Sequence, residues 1–325
     1  MIGIYAHHQG DGHLARATAI AAHLRTPATL LSSRPAPAGW PGPSVLLARD
    51  DDPAPGPLAD PTAGGALHWA PLHHDGLRER MGQLAAWIAA ERPRLLVADV
   101  SVEVALLARL TGTPVVIVAQ PGRRDDPAHR LAYATARAVL APWPSWAQPL
   151  EGPDVALRTV GAFSRFDGRP TAARPPGGRR VLVLGGRGGT SLTNDHLEVA
   201  RRATPGWSWA ALGPPAGRWV DDPWPLLCGA DVVVTHAGAN ALAEVAAARR
   251  PAVVIPQPRP HDEQEHAAQA LAAAGLAVVV PHWPRPDAWP GLLERAQAVG
   301  GMRWARWAPG DGAQRAAALL DDLTG

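Results

Sequence analysis

Short apolar runs alternate with segments of helical period along most of the chain. Ile2 to Tyr5 predicts a strand, His7 to His13 a polar loop with two glycines, and Leu14 to Leu24 a helix. Further strands are expected at Ala28 to Leu31 and Ser44 to Ala48, inside a Pro-, Gly- and Asp-rich region from Pro35 to Pro71 that otherwise reads as long loops. A helix over Gly76 to Glu91 puts Leu77, Met81, Leu84 and Ile88 on one face. Leu95 to Ala98 predicts a strand, Val102 to Leu110 a helix, Pro114 to Ala119 a strand and Ala128 to Ala138 a helix. Repeated strand–helix units of this kind predict a parallel sheet, hence an α/β fold.

The pattern breaks from Phe163 to Arg180, where Gly, Pro and Arg show no apolar period and read as an interdomain linker. It resumes with a strand at Val181 to Leu184, a glycine-rich loop from Gly185 to Thr190, a helix over Asn194 to Ala203 and a strand at Ser208 to Leu212. Gly213 to Pro225 is expected to be a loop. The next stretch is DVVVTHAGANALAEVAAARRPAVVIPQPRPHDEQ, from Asp231 to Gln264. Its apolar runs Val232–Val234 and Ala252–Ile255 flank a helical segment, and its polar residues gather beyond the strand ends. In open α/β sheets that edge is where ligands bind. Helices at Gln264–Ala274, Leu292–Val299 and Gly312–Leu323, with a strand at Ala277–Val280, complete the chain. The expected organisation is residues 1–164 as one domain, 165–179 as linker, 180–309 as a second domain, and 310–325 as a last helix returning to the first.

Composition removes several function classes. The 325 residues are 46% hydrophobic, enough for two full cores. All 31 basic side chains are arginine, yet net charge is only +2, and no basic block suits a nucleic-acid groove. Cys228 is the single cysteine, which rules out an intramolecular disulfide and offers no metal site. No apolar run approaches the ~20 residues that span a bilayer, and no signal peptide opens the sequence, so a cytoplasmic protein is expected.

The chemistry concentrates in His236-x-Gly238-x-Asn240-x-x-x-Glu244. A helix N-terminus after a strand carries free N–H groups and partial positive charge, which suits a phosphate. Gly238 admits close backbone approach, and His236 and Asn240 add side-chain donors. Glu244 could accept from the vicinal hydroxyls of a ribose. The alternative is a βα junction with a chance polar cap. The loop at Gly185-Gly186-Arg187-Gly188-Gly189-Thr190 does not complete G-x-G-x-x-G, because its sixth position from Gly186 is Ser191. That disfavours a nicotinamide cofactor.

HAGANALAE resembles the HxGxNxxxE core of nucleotide-sugar-dependent glycosyltransferases of the GT-B fold, and Glu263-Gln264 resembles the acidic–Gln pair that closes their donor signature. The resemblance covers the C-terminal half, and the aromatic often found between Gly and Asn is Ala239 here. It implies two Rossmann-like domains facing across a cleft, the C-terminal one holding a nucleoside-diphosphate sugar, most simply UDP-linked. His236, Gly238, Ala239 and Asn240 would then contact the diphosphate together with Gly12, Gly186 and Gly188. Trp219, Val220 and Glu244 would hold the nucleoside, and Glu263 and Gln264 the sugar. Gly10-x-Gly12-His13-x-x-Arg16 would face the donor, with His13 as general base and Asp99 orienting it. The implied reaction is inverting and needs no metal or other cofactor.

Several alternatives stay open. Gly-x-Gly-His-x-x-Arg also resembles the opening of nucleotide-sugar hydrolases of this fold, which use water. A catalytically silent nucleotide-binding partner is a second rival. Asp99 could instead cap the helix from Val102, and His13 could hydrogen-bond only locally. Asp50-Asp51-Asp52 reads as a solvated acidic turn, Arg123-Arg124 as a solvated loop, and His73-His74-Asp75 lacks further metal ligands. Trp283, Trp289, Trp304 and Trp307 read as packing. The acceptor, whether small molecule, lipid or glycan, is unspecified. The wall near His7, His8 and His73 is where it is expected to be read, with peripheral membrane contact open for a lipid.

Overall fold

The computed structural model describes residues 1–56, 59–171, 179–186, 192–214 and 216–325. The N-terminal half holds β1 (Ile2–Ala6), α1 (Gly12–Ala21), β2 (Ala28–Ser32), β3 (Ser44–Leu46), α2 (Asp75–Glu91), β4 (Leu95–Asp99), α3 (Val102–Leu110), β5 (Val115–Val118), β6 (Gly122–Arg123), α4 (Pro127–Thr135), β7 (Ala138–Ala141), β8 (Leu150–Glu151) and β9 (Leu157–Thr159). The C-terminal half holds β10 (Arg179–Leu184), α5 (Asn194–Ala203), β11 (Trp207–Leu212), α6 (Trp224–Gly229), β12 (Val232–Thr235), α7 (Ala239–Ala247), β13 (Ala252–Val254), α8 (Glu263–Ala273), β14 (Val278–Val279), α9 (Trp289–Val299) and α10 (Gly312–Asp322). Seven parallel strands form one sheet in the order β3-β2-β1-β4-β5-β7-β9, and five form another in the order β11-β10-β12-β13-β14.

The strands read as unbroken apolar runs because helices cover both faces. Alternate residues of β1 and β4 go to opposite sides: Ile2, Ile4, Leu95 and Val97 pack with α1 and α10, whereas Tyr5, Leu96 and Ala98 pack with α2 and α3. In the second sheet Val181 and Val183 face α5 and α9, while Leu182 and Leu184 face α6 and α7. α10 lies on α1, and the buried Asp321 carboxylate accepts the backbone N–H groups of Arg25 and Thr26 just past the end of α1.

Several elements depart from the sequence expectation, among them the short strands β6, β8 and β9, which it did not include. The helix from Ala128 stops at Thr135, and Ala138–Ala141 is instead a fully buried strand between β5 and β9. Alanine favours helix, but an interior sheet position outweighs that weak preference. The loop ending at Pro225 contains the start of α6, since Pro is tolerated in the first turn of a helix. Of the expected tryptophan packing, Trp289, Trp304 and Trp307 are buried and Trp283 is partly so.

Candidate functional site: a cleft between two helix N-termini

β1 and β12 are each followed by a short polar turn and a helix, so α1 and α7 both begin at the carboxyl edge of their sheets. Neither start is capped by a side chain: Asp11 precedes α1 without accepting from it, and Gly238 precedes α7 with no side chain at all. The first-turn N–H groups of a helix have no intrahelical partner and attract anions. The two starts meet across a cleft of about 370 Å³ lined by both halves of the chain. They meet closely. A Cβ on Gly12 would lie 2.1 Å from Asn240 Nδ2, so the Asn240 side chain keeps its present place only with glycine there.

The C-terminal wall is preset for donation. His236 Nδ1 accepts the Gly238 N–H at 3.0 Å, which leaves Nε2 as the protonated nitrogen. That Nε2 sits over Gly186, where an added Cβ would come within 2.5 Å of it. Burial, reinforced by the charge of Arg259, lowers the His236 pKa to about 4, so the ring donates as a neutral imidazole. Glu244, one helical turn beyond Asn240, accepts from Arg165 Nε at 3.0 Å. Burial raises its pKa and Arg165 opposes that rise. Trp219, Val220, Ala239, Glu263 and Gln264 also line the cleft. Gly188 lies outside the described residues.

Gln264 lines the cleft and is held rigidly in it. Its Oε1 accepts the backbone N–H groups of Ala237 and Gln257, at 3.1 and 3.0 Å, and the residue is buried. The carbonyl end therefore ties the α7 turn to the loop after β13, leaving only the amide nitrogen for a sugar.

On the N-terminal wall, His13 Nδ1 lies 3.1 Å from Asp99 Oδ2, and Arg16 Nη1 lies 3.5 Å from Asp99 Oδ1. The Nδ1–H is not aligned for a good hydrogen bond here. With Nδ1 facing Asp99, Nε2 is the nitrogen left for the cleft. Burial alone would raise the Asp99 pKa, but Arg16 and then His13 hold it below the usual carboxylate range. Asp99 does not cap α3. Ser101 does, accepting from Val104 N at 3.2 Å.

Other sequence readings need correction. His7, His8 and His73 do not line the cleft. His7 sits behind His13, its ring 6.0 Å away, and burial, with His13 and His8 adding, lowers its pKa to about 3. His8 is held by Asp51 at 3.0 Å, and His74 caps α2 by accepting from Leu77 N. Asp50 is not solvated: it is buried beside Arg80, which also bonds Tyr5. Arg124 is buried too, 3.9 Å from Glu263. Arg16 enters the sequence reading only as the last position of the Gly10–Arg16 motif, and Arg165 only as the first residue of the expected linker; neither position points to Asp99 or Glu244 as a partner.

Residues 221–283 match the glycosyltransferase family 28 C-terminal domain. The UDP-N-acetylglucosamine–N-acetylmuramyl-(pentapeptide) pyrophosphoryl-undecaprenol N-acetylglucosamine transferase of Sorangium cellulosum is 34% identical over 54% of this chain and 49% of its own length. The Chlorobium luteolum protein of the same name is 29% identical over 66% of this chain and 69% of its own. The chain spans about half the length of the first curated relatives it matches. The crystal structure of Acinetobacter baumannii MurG superposes with a TM-score of 0.67 at 16% identity, covering 99% of both chains. The calicheamicin glycosyltransferase CalG4 gives 0.66 at 17% identity, covering 99% of this chain and 96% of that one. Residues 221–283 thus resemble a glycosyltransferase family 28 C-terminal domain, and the chain as a whole has the GT-B fold of the solved glycosyltransferases on which it superposes.

Proposed function

We propose that the chain transfers a sugar from a UDP-sugar to a lipid-linked acceptor, with inversion and without a catalytic metal. The observation that carries this reading is the pairing across one cleft. An uncapped α7 N-terminus with His236, Asn240 and Glu244 faces an uncapped α1 N-terminus that bears the His13–Asp99 pair. The donor class and the lipid-linked acceptor follow the names of the relatives.

In this reading the diphosphate lies between the helix starts and Glu244 holds the ribose, exchanging its bond to Arg165. His13 Nε2 removes the proton from an acceptor hydroxyl. The hydroxyl oxygen forms the bond to the anomeric carbon as the bond from that carbon to the diphosphate oxygen breaks. Asp99 steadies the resulting imidazolium. The charge growing on the leaving diphosphate meets N–H groups and dipoles already in place, so little reorganisation is needed. Because Gly12 seats against Asn240, the halves part to admit the donor and close over it. No helix among the described residues is long and apolar enough to cross a membrane.

The test supplies UDP-N-acetylglucosamine with and without a pyrophosphoryl-polyprenol muramyl acceptor, in a chelator-treated buffer. UDP release that depends on the acceptor, with a β-linked product, is expected. Stoichiometric free sugar without acceptor supports the hydrolase instead and overturns the transferase reading.

A further inference from the structure

A second cluster of reactive side chains lies away from the donor cleft. His68 and His129 belong to the N-terminal half, as does Asp126, the N-cap of α4. His261 comes from the C-terminal half, two residues before the sugar-wall residue Glu263. One ligand atom from each of the four lies within 4.8 Å of the others. None of the four lines the cleft that contains His13.

The spacing is that of a small coordination sphere. His68 Nε2 is 2.9 Å from Asp126 Oδ1, His129 Nδ1 is 2.5 Å from Asp126 Oδ2, and His261 Nδ1 is 3.8 Å from the same oxygen. The three imidazoles crowd around each other with ring centroids 4.3, 5.0 and 5.6 Å apart. A tetrahedral zinc site with bonds of ~2.0–2.1 Å has ligand–ligand edges of about 3.3 Å, in the middle of this range. Three neutral nitrogens and one carboxylate are also the donor set that suits zinc and its first-row neighbours.

The backbone adds an independent observation. His261 and Asp262 both sit in the left-handed region, with φ of 62° and 53°. Two adjacent non-glycine residues there cost on the order of 1–3 kcal/mol each. The His261 ring bonds the Arg123 backbone, and its contact with Asp126, at 3.8 Å, is too long for a second hydrogen bond. A metal–imidazole bond would give the nitrogen that faces Asp126 a partner, with the backbone bond holding the ring in place. Gly122 in β6 also gives way to this loop: a Cβ there would meet the His261 carbonyl at 2.2 Å. The other compact His–Asp group, His8 with Asp50 and Asp51, is different. Arg49 and Arg80 already neutralise its carboxylates.

We propose that His68, Asp126, His129 and His261 bind one zinc-class divalent cation that clamps the loop before Glu263 to the N-terminal half. The ion takes no part in sugar transfer. It fixes the start of α8, and with it Glu263, against the opposite wall.

The experiment uses the full chain, stripped with a chelator and titrated with Zn²⁺ in a calorimeter, with thermal unfolding followed in parallel and Co²⁺ as a spectroscopic substitute. One saturable equivalent is expected, a rise in Tm on zinc addition, and the intense visible bands of four-coordinate Co²⁺. His261→Asn keeps a residue that tolerates the left-handed backbone while removing the imidazole. His68→Ala removes a ligand from the other half. Each should weaken zinc binding by at least about tenfold and abolish the rise in Tm. His23→Ala, an exposed control, should match the parent. Absence of a one-equivalent site in the parent, or unchanged zinc affinity in either ligand variant, overturns the proposal.

Discussion

Replacing Asp99 by Asn removes one charge and little volume from a site that is fully enclosed. Arg16, itself only 8% exposed, then keeps its charge with no carboxylate beside it. At an effective dielectric of about 20, unit charges 3.5 Å apart attract by roughly 4–5 kcal/mol. Desolvation of both groups cancels much of that in the intact pair. Breaking a buried pair by deleting one partner nevertheless costs about 3–5 kcal/mol, because the survivor stays buried. If Asp99 were a helix cap, the loss would be ~1 kcal/mol. Urea unfolding at neutral pH separates these values. The variant should lose about 3 kcal/mol or more, and the double variant Asp99→Asn/Arg16→Met should lose markedly less than the sum of the two single changes. Since Asp99 has a folded-state pKa below its unfolded value of ~3.9, its contribution is full above that pH. It is lost as pH falls through the lower folded value, so the gap between parent and variant should close in acid. Sugar transfer should fall by roughly 10²-fold or more, as expected when a general base loses its orienting carboxylate. A loss under ~1 kcal/mol that is additive with Arg16→Met would refute the buried-pair account.

Two further outcomes follow from the same geometry. Gly12→Ala would place a methyl 2.1 Å from Asn240 Nδ2, where ordinary contact begins near 3.4 Å, so the helix starts must separate by about 1 Å or Asn240 must turn away. A misplacement of this size costs on the order of 10²-fold in rate, and an unchanged transfer rate in steady-state assays would contradict the close seating. His7 and His236 are held neutral, with pKa values lowered from 6.5 to about 3 and about 4. The unfolded chain therefore binds protons that the folded chain does not as pH falls below 6.5, and stability should drop with a slope of up to ~1.4 kcal/mol per pH unit for each. His236→Gln should flatten the unfolding free energy measured from pH 6.5 to 4.5; an unaltered slope would show that His236 titrates normally.

The two strand–turn–helix junctions were legible because each is a local signal: an apolar run, a glycine turn and a helical period within one short window. The glycosyltransferase signature adds order along the chain, and its His236, Asn240 and Glu244 all line the cleft, at the turn before α7 and within the helix. What sequence did not reveal is pairing at a distance. Asp50 and Arg124 read as solvated because nothing local marks the buried partners Arg80 and Glu263. The motif does not show that the Gln264 carbonyl also accepts two backbone amides from segments on either side of the cleft wall. Ala138–Ala141 carries a helix-forming composition and becomes a strand only because β5 and β9 flank it. The His68–His261 group joins both halves of the chain, so no spacing rule could have collected it.

Titration of UDP and a UDP-sugar into the protein, parent against Glu244→Ala, tests the central claim most directly. Glu244 is nearly enclosed while its partner Arg165 is 48% exposed, so removing the carboxylate should cost under ~1 kcal/mol of stability. Two hydrogen bonds from ribose hydroxyls to a carboxylate should make the same change weaken binding by roughly 10–100-fold. One UDP bound per chain is expected in the parent, with that loss in a variant of near-parental stability. No UDP binding by the folded parent, or equal affinity in the variant, would contradict it.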